Sequence, residues 1–102
     1  MNDLLEFTVL LLINHRSTKD GFWGNRLKVM LEERGFKFSE LEFKQLINDL
    51  LMNKKIRIGG GNDVDNTNNL FYITAIGREY LKENYEENFS KLSELLKKLN
   101  PL

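Results

Sequence analysis

The first apolar pattern in the chain is continuous: Leu4, Leu5 and Phe7 lead into an unbroken run over residues 9–13. A helix so densely apolar is covered on both sides, and Asn2 or Asp3 ahead of it can cap its first turn. The pattern therefore predicts a buried helix that serves as the central strut of the fold. Residues 14–21 (NHRSTKDG) collect turn formers and charges and read as a connection. Trp23, Leu27, Met30 and Leu31 then fall at i, i+4, i+7 and i+8, one helical stripe, and Gly35 stands where a left-handed cap belongs. A second helix is expected over residues 22–34.

The next helix start is marked twice. Ser39 and Glu42 have capping-box spacing, while Phe38 and Phe43 can close as a hydrophobic staple. Phe43, Leu46, Ile47, Leu50 and Leu51 continue as an apolar stripe that ends at Asn53 and Lys54, giving a third helix over Glu40–Met52. The period then changes to two. Ile56 and Ile58 alternate with Lys55 and Arg57, and a second β-prone run follows over residues 70–74. The two runs are expected to pair as a hairpin. Its tip, residues 59–69 (GGGNDVDNTNN), is rich in glycine, asparagine and aspartate and lacks periodicity. Thr74 can cap a fourth helix, with Gly77 allowing its first turn to approach the sheet closely. Tyr85, Phe89, Leu92, Leu96 and Leu99 recur at steps averaging 3.5 residues, the seam of a helix packed along another helix.

The order of these elements is that of a winged helix-turn-helix: mainly α with a small β-hairpin, α-α-α-β-β-α, closed by a long C-terminal helix. The division expected is a winged-helix domain over residues 1–83 and an amphipathic dimerisation element over residues 84–102. The segment Tyr72-Ile73-Thr74-Ala75-Ile76-Gly77-Arg78-Glu79-Tyr80-Leu81 resembles the strand-to-helix junction that closes the wing in regulators of the MarR and PadR kinds. From Gly77 onward, the junction and the Lys/Leu-rich tail are also similar to small phage-associated YjcQ-type proteins. These resemblances cover about a third of the chain. They imply a winged-helix fold and a mobile-element origin, with which twelve asparagines among 102 residues, as in an AT-rich genome, agree.

Charge narrows the functional reading. Fifteen basic residues balance fifteen acidic ones, so any nucleic-acid surface must be local. Removing the core stripe from the third helix leaves Leu41, Lys44, Gln45, Asn48 and Met52 on its outer side. There Gln45 and Asn48 can hydrogen-bond adenine edges, and Lys44 a guanine edge or a phosphate. Glu40, Glu42 and Asp49 leave the same helix at −2 with Lys44, which suits an ordinary solvated face instead. Positive charge gathers at Lys54, Lys55 and Arg57, with Arg78 expected close by, and these residues can hold phosphates. Arg16, Lys19, Arg26 and Lys28 form a second candidate group. Asp63 and Asp65 make the hairpin tip acidic, unsuited to a minor groove.

Other chemistry is set aside. The chain contains no cysteine and one histidine, His15, so neither a disulfide nor a cysteine-ligated metal site can form. The triglycine at residues 59–61 is followed by no Gly-Lys-[Ser/Thr], and the Asp63 segment lacks the glycine and glutamate of a calcium loop. No cofactor and no enzymatic activity are expected. The ten-residue apolar run at the start is too short to span a bilayer, and with no basic n-region a cytoplasmic location is the expectation. The leading function is a sequence-specific regulator that binds double-stranded DNA as a homodimer through Tyr85, Phe89, Leu92, Leu96 and Leu99. The alternative is an interaction module for a host protein, using the acidic rim of the third helix and the hairpin tip.

Overall fold

The computed structural model describes residues 3–15, 21–62 and 68–99. In chain order the elements are α1 (Asp3–His15), β1 (Phe22–Trp23), α2 (Gly24–Glu33), α3 (Glu40–Met52), β2 (Ile56–Gly60), β3 (Leu70–Ile73) and α4 (Ala75–Leu99). The fold is mainly helical, with one three-stranded antiparallel sheet in the order β1-β3-β2.

The strut is present as its pattern requires. Phe7, Val9, Leu10 and Ile13 are buried, and α1 packs against α2, β3 and α4. Around it, Leu27 and Leu31 of α2, Phe43, Leu46, Ile47 and Leu50 of α3, and Phe71 of β3 complete one core. The doubly marked helix start is formed in full. Ser39 Oγ accepts from the Glu42 amide at 3.1 Å, and Glu42 Oε1 accepts from the Ser39 amide at 2.9 Å. The rings of Phe38 and Phe43 stack at 5.6 Å. At the end of α2, Gly35 adopts φ 88° and the Phe36 amide returns to the Leu31 carbonyl at 3.2 Å, which turns the chain into α3.

The start of the second helical segment differs from expectation. Phe22 and Trp23 are extended and pair with Phe71 and Leu70, so the sheet has three strands and α2 begins at Gly24. Trp23, placed by periodicity in the core stripe, is instead 46% exposed. Gly21 with φ 65° turns the chain into the strand, and the Gly24 amide bonds the Asn69 carbonyl at 3.1 Å, so β3 draws this segment out of the helix. Strand pairing was not coded by the helical stripe, which Trp23 fits equally well.

The other junctions follow their local chemistry. Lys54 takes a left-handed φ of 59°, which redirects the chain from α3 into β2. Thr74 ties this turn to the last helix: its hydroxyl donates to the Lys54 carbonyl and accepts from the Gly77 amide, and its amide donates to the Lys55 carbonyl at 3.1 Å. The helix α4 runs unbroken for 25 residues. The expected cap Asn2 and the tip residues Asp63 and Asp65 lie outside the described residues.

Candidate nucleic-acid interface

The helix α3 turns Phe43, Leu46, Ile47 and Leu50 inward, and this fixes what faces out. Leu41 and Met52 are 62% and 79% exposed, and Gln45 is exposed between them. Lys44 and Asn48 are partly buried, and both take part in contacts within the fold. Of the five residues the sequence pattern set on the outer side, Leu41, Gln45 and Met52 are exposed there, whereas Lys44 and Asn48 are drawn partly into the fold. The acidic first turn is partly neutralised from α2, where Lys28 Nζ lies 2.6 Å from Glu40 Oε1 and 5.5 Å from the centre of the Phe43 ring. Lys28, expected among the second group of phosphate contacts, is thus engaged in joining α2 to α3. Arg26 is exposed, while Arg16 and Lys19 lie outside the described residues.

The basic cluster after α3 divides into different roles. Lys54 is exposed on its left-handed turn. Lys55 turns inward: its ammonium lies 2.7 Å from Glu6 of α1, with both side chains only 18% exposed, and 3.9 Å over the Tyr80 ring. A charge held this way has its partner inside the protein, so Lys55 fastens β2 to α1 and α4. The Tyr80 hydroxyl is pushed up to about 12, first by burial, then by the negative charges of Glu6 and Asp3 and by its hydrogen bond to Glu6.

Arg57 faces outward. Its guanidinium lies 4.5 Å over the ring of Tyr72, the residue opposite it in the sheet register. The Tyr72 ring in turn lies over Gly59, where an added Cβ would come within 1.9 Å of it. The glycine leaves room for the ring, the ring supports the guanidinium, and Arg57 forms no ion pair among the described residues. Arg78 is exposed but lines a groove between α1 and α4 with Leu11, Asn14, Lys82 and Tyr85. Its backbone is joined through Thr74 to the turn at Lys54, while its side chain belongs to a different surface.

The residues expected along the C-terminal seam also divide. Leu92 is buried and Leu96 is partly buried against the core, whereas Tyr85 and Phe89 are exposed by 44% and 43%. The side chain of Leu99 lies outside the described residues. Two residues escaped the sequence reading: Trp23 at the sheet edge and Tyr72 beneath Arg57. The signal for Trp23 was the aromatic pair Phe22-Trp23 between Gly21 and Gly24, and for Tyr72 it was a small residue two places beyond Arg57.

Among the described residues, no group of three or more His, Asp or Glu side chains could hold a metal ion, and no helix is long and apolar enough to cross a membrane. No family model, curated protein or solved structure matches the chain.

Proposed function

We propose that the chain is a winged helix-turn-helix domain that binds double-stranded DNA, with α3 in the major groove and the base of the β2–β3 hairpin on the phosphate backbone. The observation that carries this reading is the element order α1-β1-α2-α3-β2-β3 with sheet order β1-β3-β2, together with exposed Gln45 on α3 and exposed Lys54 and Arg57 in the segment that follows it. Gln45, Asn48 and Lys44 are the base-reading candidates, and Lys54 and Arg57 the phosphate contacts. Lys55 supports this surface from within through Glu6, and Arg78 lines the groove between α1 and α4.

Titration of labelled duplex DNA at low salt tests the reading. The expected result is binding that weakens with salt, and a shallower salt slope when Lys54 and Arg57 are both replaced by alanine, by about one for each phosphate that is no longer neutralised. Absence of binding, or an unchanged slope in the double variant, refutes it. A second reading, as a protein-interaction module, is favoured by a specific feature of the same helix: exposed Leu41 and Met52 share α3 with Glu40, Glu42 and Asp49. Exposed apolar side chains among carboxylates suit a basic protein partner better than a phosphate backbone. Under that reading Leu41→Ser and Met52→Ser abolish capture of a host protein, and duplex DNA is not bound.

A further inference from the structure

A groove runs between the C-terminal half of α1 and the length of α4, in two adjoining parts. The part toward the start of α4 encloses about 460 Å³ beside Arg78, Lys82 and Tyr85. The part toward its end encloses about 390 Å³ beside Arg34, Phe89 and Leu96. Leu11 and Asn14 of α1 border both parts. From Arg78 to Leu96 the groove follows about 27 Å of helix, or about five turns.

Its apolar wall is a stack of aromatic rings. The exposed rings of Tyr85 and Phe89 stack on each other at 5.0 Å, and the buried ring of Phe7 meets Tyr85 edge-on at 6.3 Å from behind. Rings already in contact with one another present a continuous apolar face to a partner. Both ends of the groove carry a net positive charge. Arg78 and Lys82 stand at one end and Arg34 at the other, none of them in an ion pair among the described residues, and Glu86 is the one carboxylate on the lining. A second copy of α4, laid antiparallel here about a two-fold axis, brings cationic ends together.

We propose that this groove receives an amphipathic helix from another protein, with an apolar stripe against Leu11, Tyr85 and Phe89 and carboxylates toward Arg78, Lys82 and Arg34. The surface differs from α3 and the hairpin, and the proposal does not depend on DNA binding.

The test uses the whole chain and a fluorescein-labelled synthetic helix of about 18 residues, long enough to fill the groove. Leucine and phenylalanine occupy positions i, i+3, i+4 and i+7 of the peptide, and glutamates flank them; a control peptide carries lysines instead. Fluorescence anisotropy is expected to show binding of the glutamate peptide and not of the lysine peptide. Phe89→Glu and Lys82→Glu should each weaken binding at least about tenfold, the size expected at an interface anchor. Circular dichroism checks that both variants remain folded, and Lys82→Glu leaves the core untouched in any case. No binding, equal binding of both peptides, or an unchanged affinity in Lys82→Glu overturns the proposal. So does a dimer in sedimentation that Phe89→Glu dissociates, because the groove then holds a second copy. Titrating the same variants with duplex DNA separates the fate of this proposal from that of the DNA-binding one.

Discussion

Replacing Gly77 by alanine sets two effects of opposite sign against each other. In a helix, alanine is favoured over glycine by about 1 kcal/mol, so at an open position the change is stabilising. Gly77 is not open. An added Cβ would come within 2.2 Å of the Lys55 carbonyl oxygen and 2.8 Å of Ile73 Cγ1, against about 3.3 Å for a close carbon–oxygen contact. The oxygen cannot move away freely, because it accepts from the Thr74 amide at 3.1 Å while the Lys55 amide is held by the Leu50 carbonyl at 2.9 Å. Overpacking of this kind costs about 1–3 kcal/mol, and separating α4 from the Lys54–Lys55 turn also weakens two Thr74 hydrogen bonds at about 1 kcal/mol each. After subtracting the helix-propensity gain, the variant should be less stable by about 2–4 kcal/mol, a fall in Tm of about 10–25 °C for a domain of this size. Thermal unfolding followed by circular dichroism measures it. Ser90→Ala, at an exposed position of α4, isolates the propensity effect and should raise Tm slightly. A Gly77→Ala protein as stable as the wild type, or more so, refutes the close-approach reasoning.

Removing the capping box with Ser39→Ala should cost about 1 kcal/mol in urea unfolding, with the m-value unchanged because the exposed surface is the same. Glu6→Ala leaves the partly buried Lys55 ammonium without its partner, and a loss of about 1–3 kcal/mol at neutral pH is expected, against almost none for an exposed pair such as Lys91–Glu87. Tyr80 has a hydroxyl raised from 10.0 to about 12 in the folded state. Its contribution is therefore complete below pH 10 and is lost as pH rises toward 12. Absorbance titration should show Tyr80 ionising above the usual phenol value, and Tyr80→Phe should remove that phase. Stability is compared between Tyr80→Phe and wild type rather than read from either alone. Gly59→Ala forces the Tyr72 ring off the strand, and should cost less than Gly77→Ala, because a side chain at the surface can swing away where a backbone carbonyl cannot. The near-ultraviolet circular dichroism of the tyrosines reports the displacement.

Local chemistry was readable from the residues alone. The Ser39–Glu42 box, the Phe38–Phe43 staple, the left-handed Gly35 and the cap at Thr74 each depend on groups within five residues, so their spacing in the chain already contains their geometry. The inward stripe of α3 followed for the same reason: a 3.6-residue period decides which side of a helix can be buried. The outer side, with Leu41, Gln45 and Met52, was thereby settled as well.

Contacts between distant segments were decided only by the tertiary structure. Trp23 fitted a helical stripe as well as a strand, and pairing with Leu70, 47 positions away, drew it out of the helix. Lys54, Lys55, Arg57 and Arg78 form one basic group when read along the chain, yet the fold gives them different surroundings. Glu6 and Tyr80 hold Lys55, Tyr72 carries Arg57, and Arg78 lines the α1–α4 groove. The seam at Tyr85, Phe89, Leu92 and Leu96 likewise divided, because packing against the core buries Leu92 and leaves the two aromatic rings partly in solvent. Periodicity specifies which residues share a face, whereas the placement of the neighbouring elements determines how much of that face remains exposed.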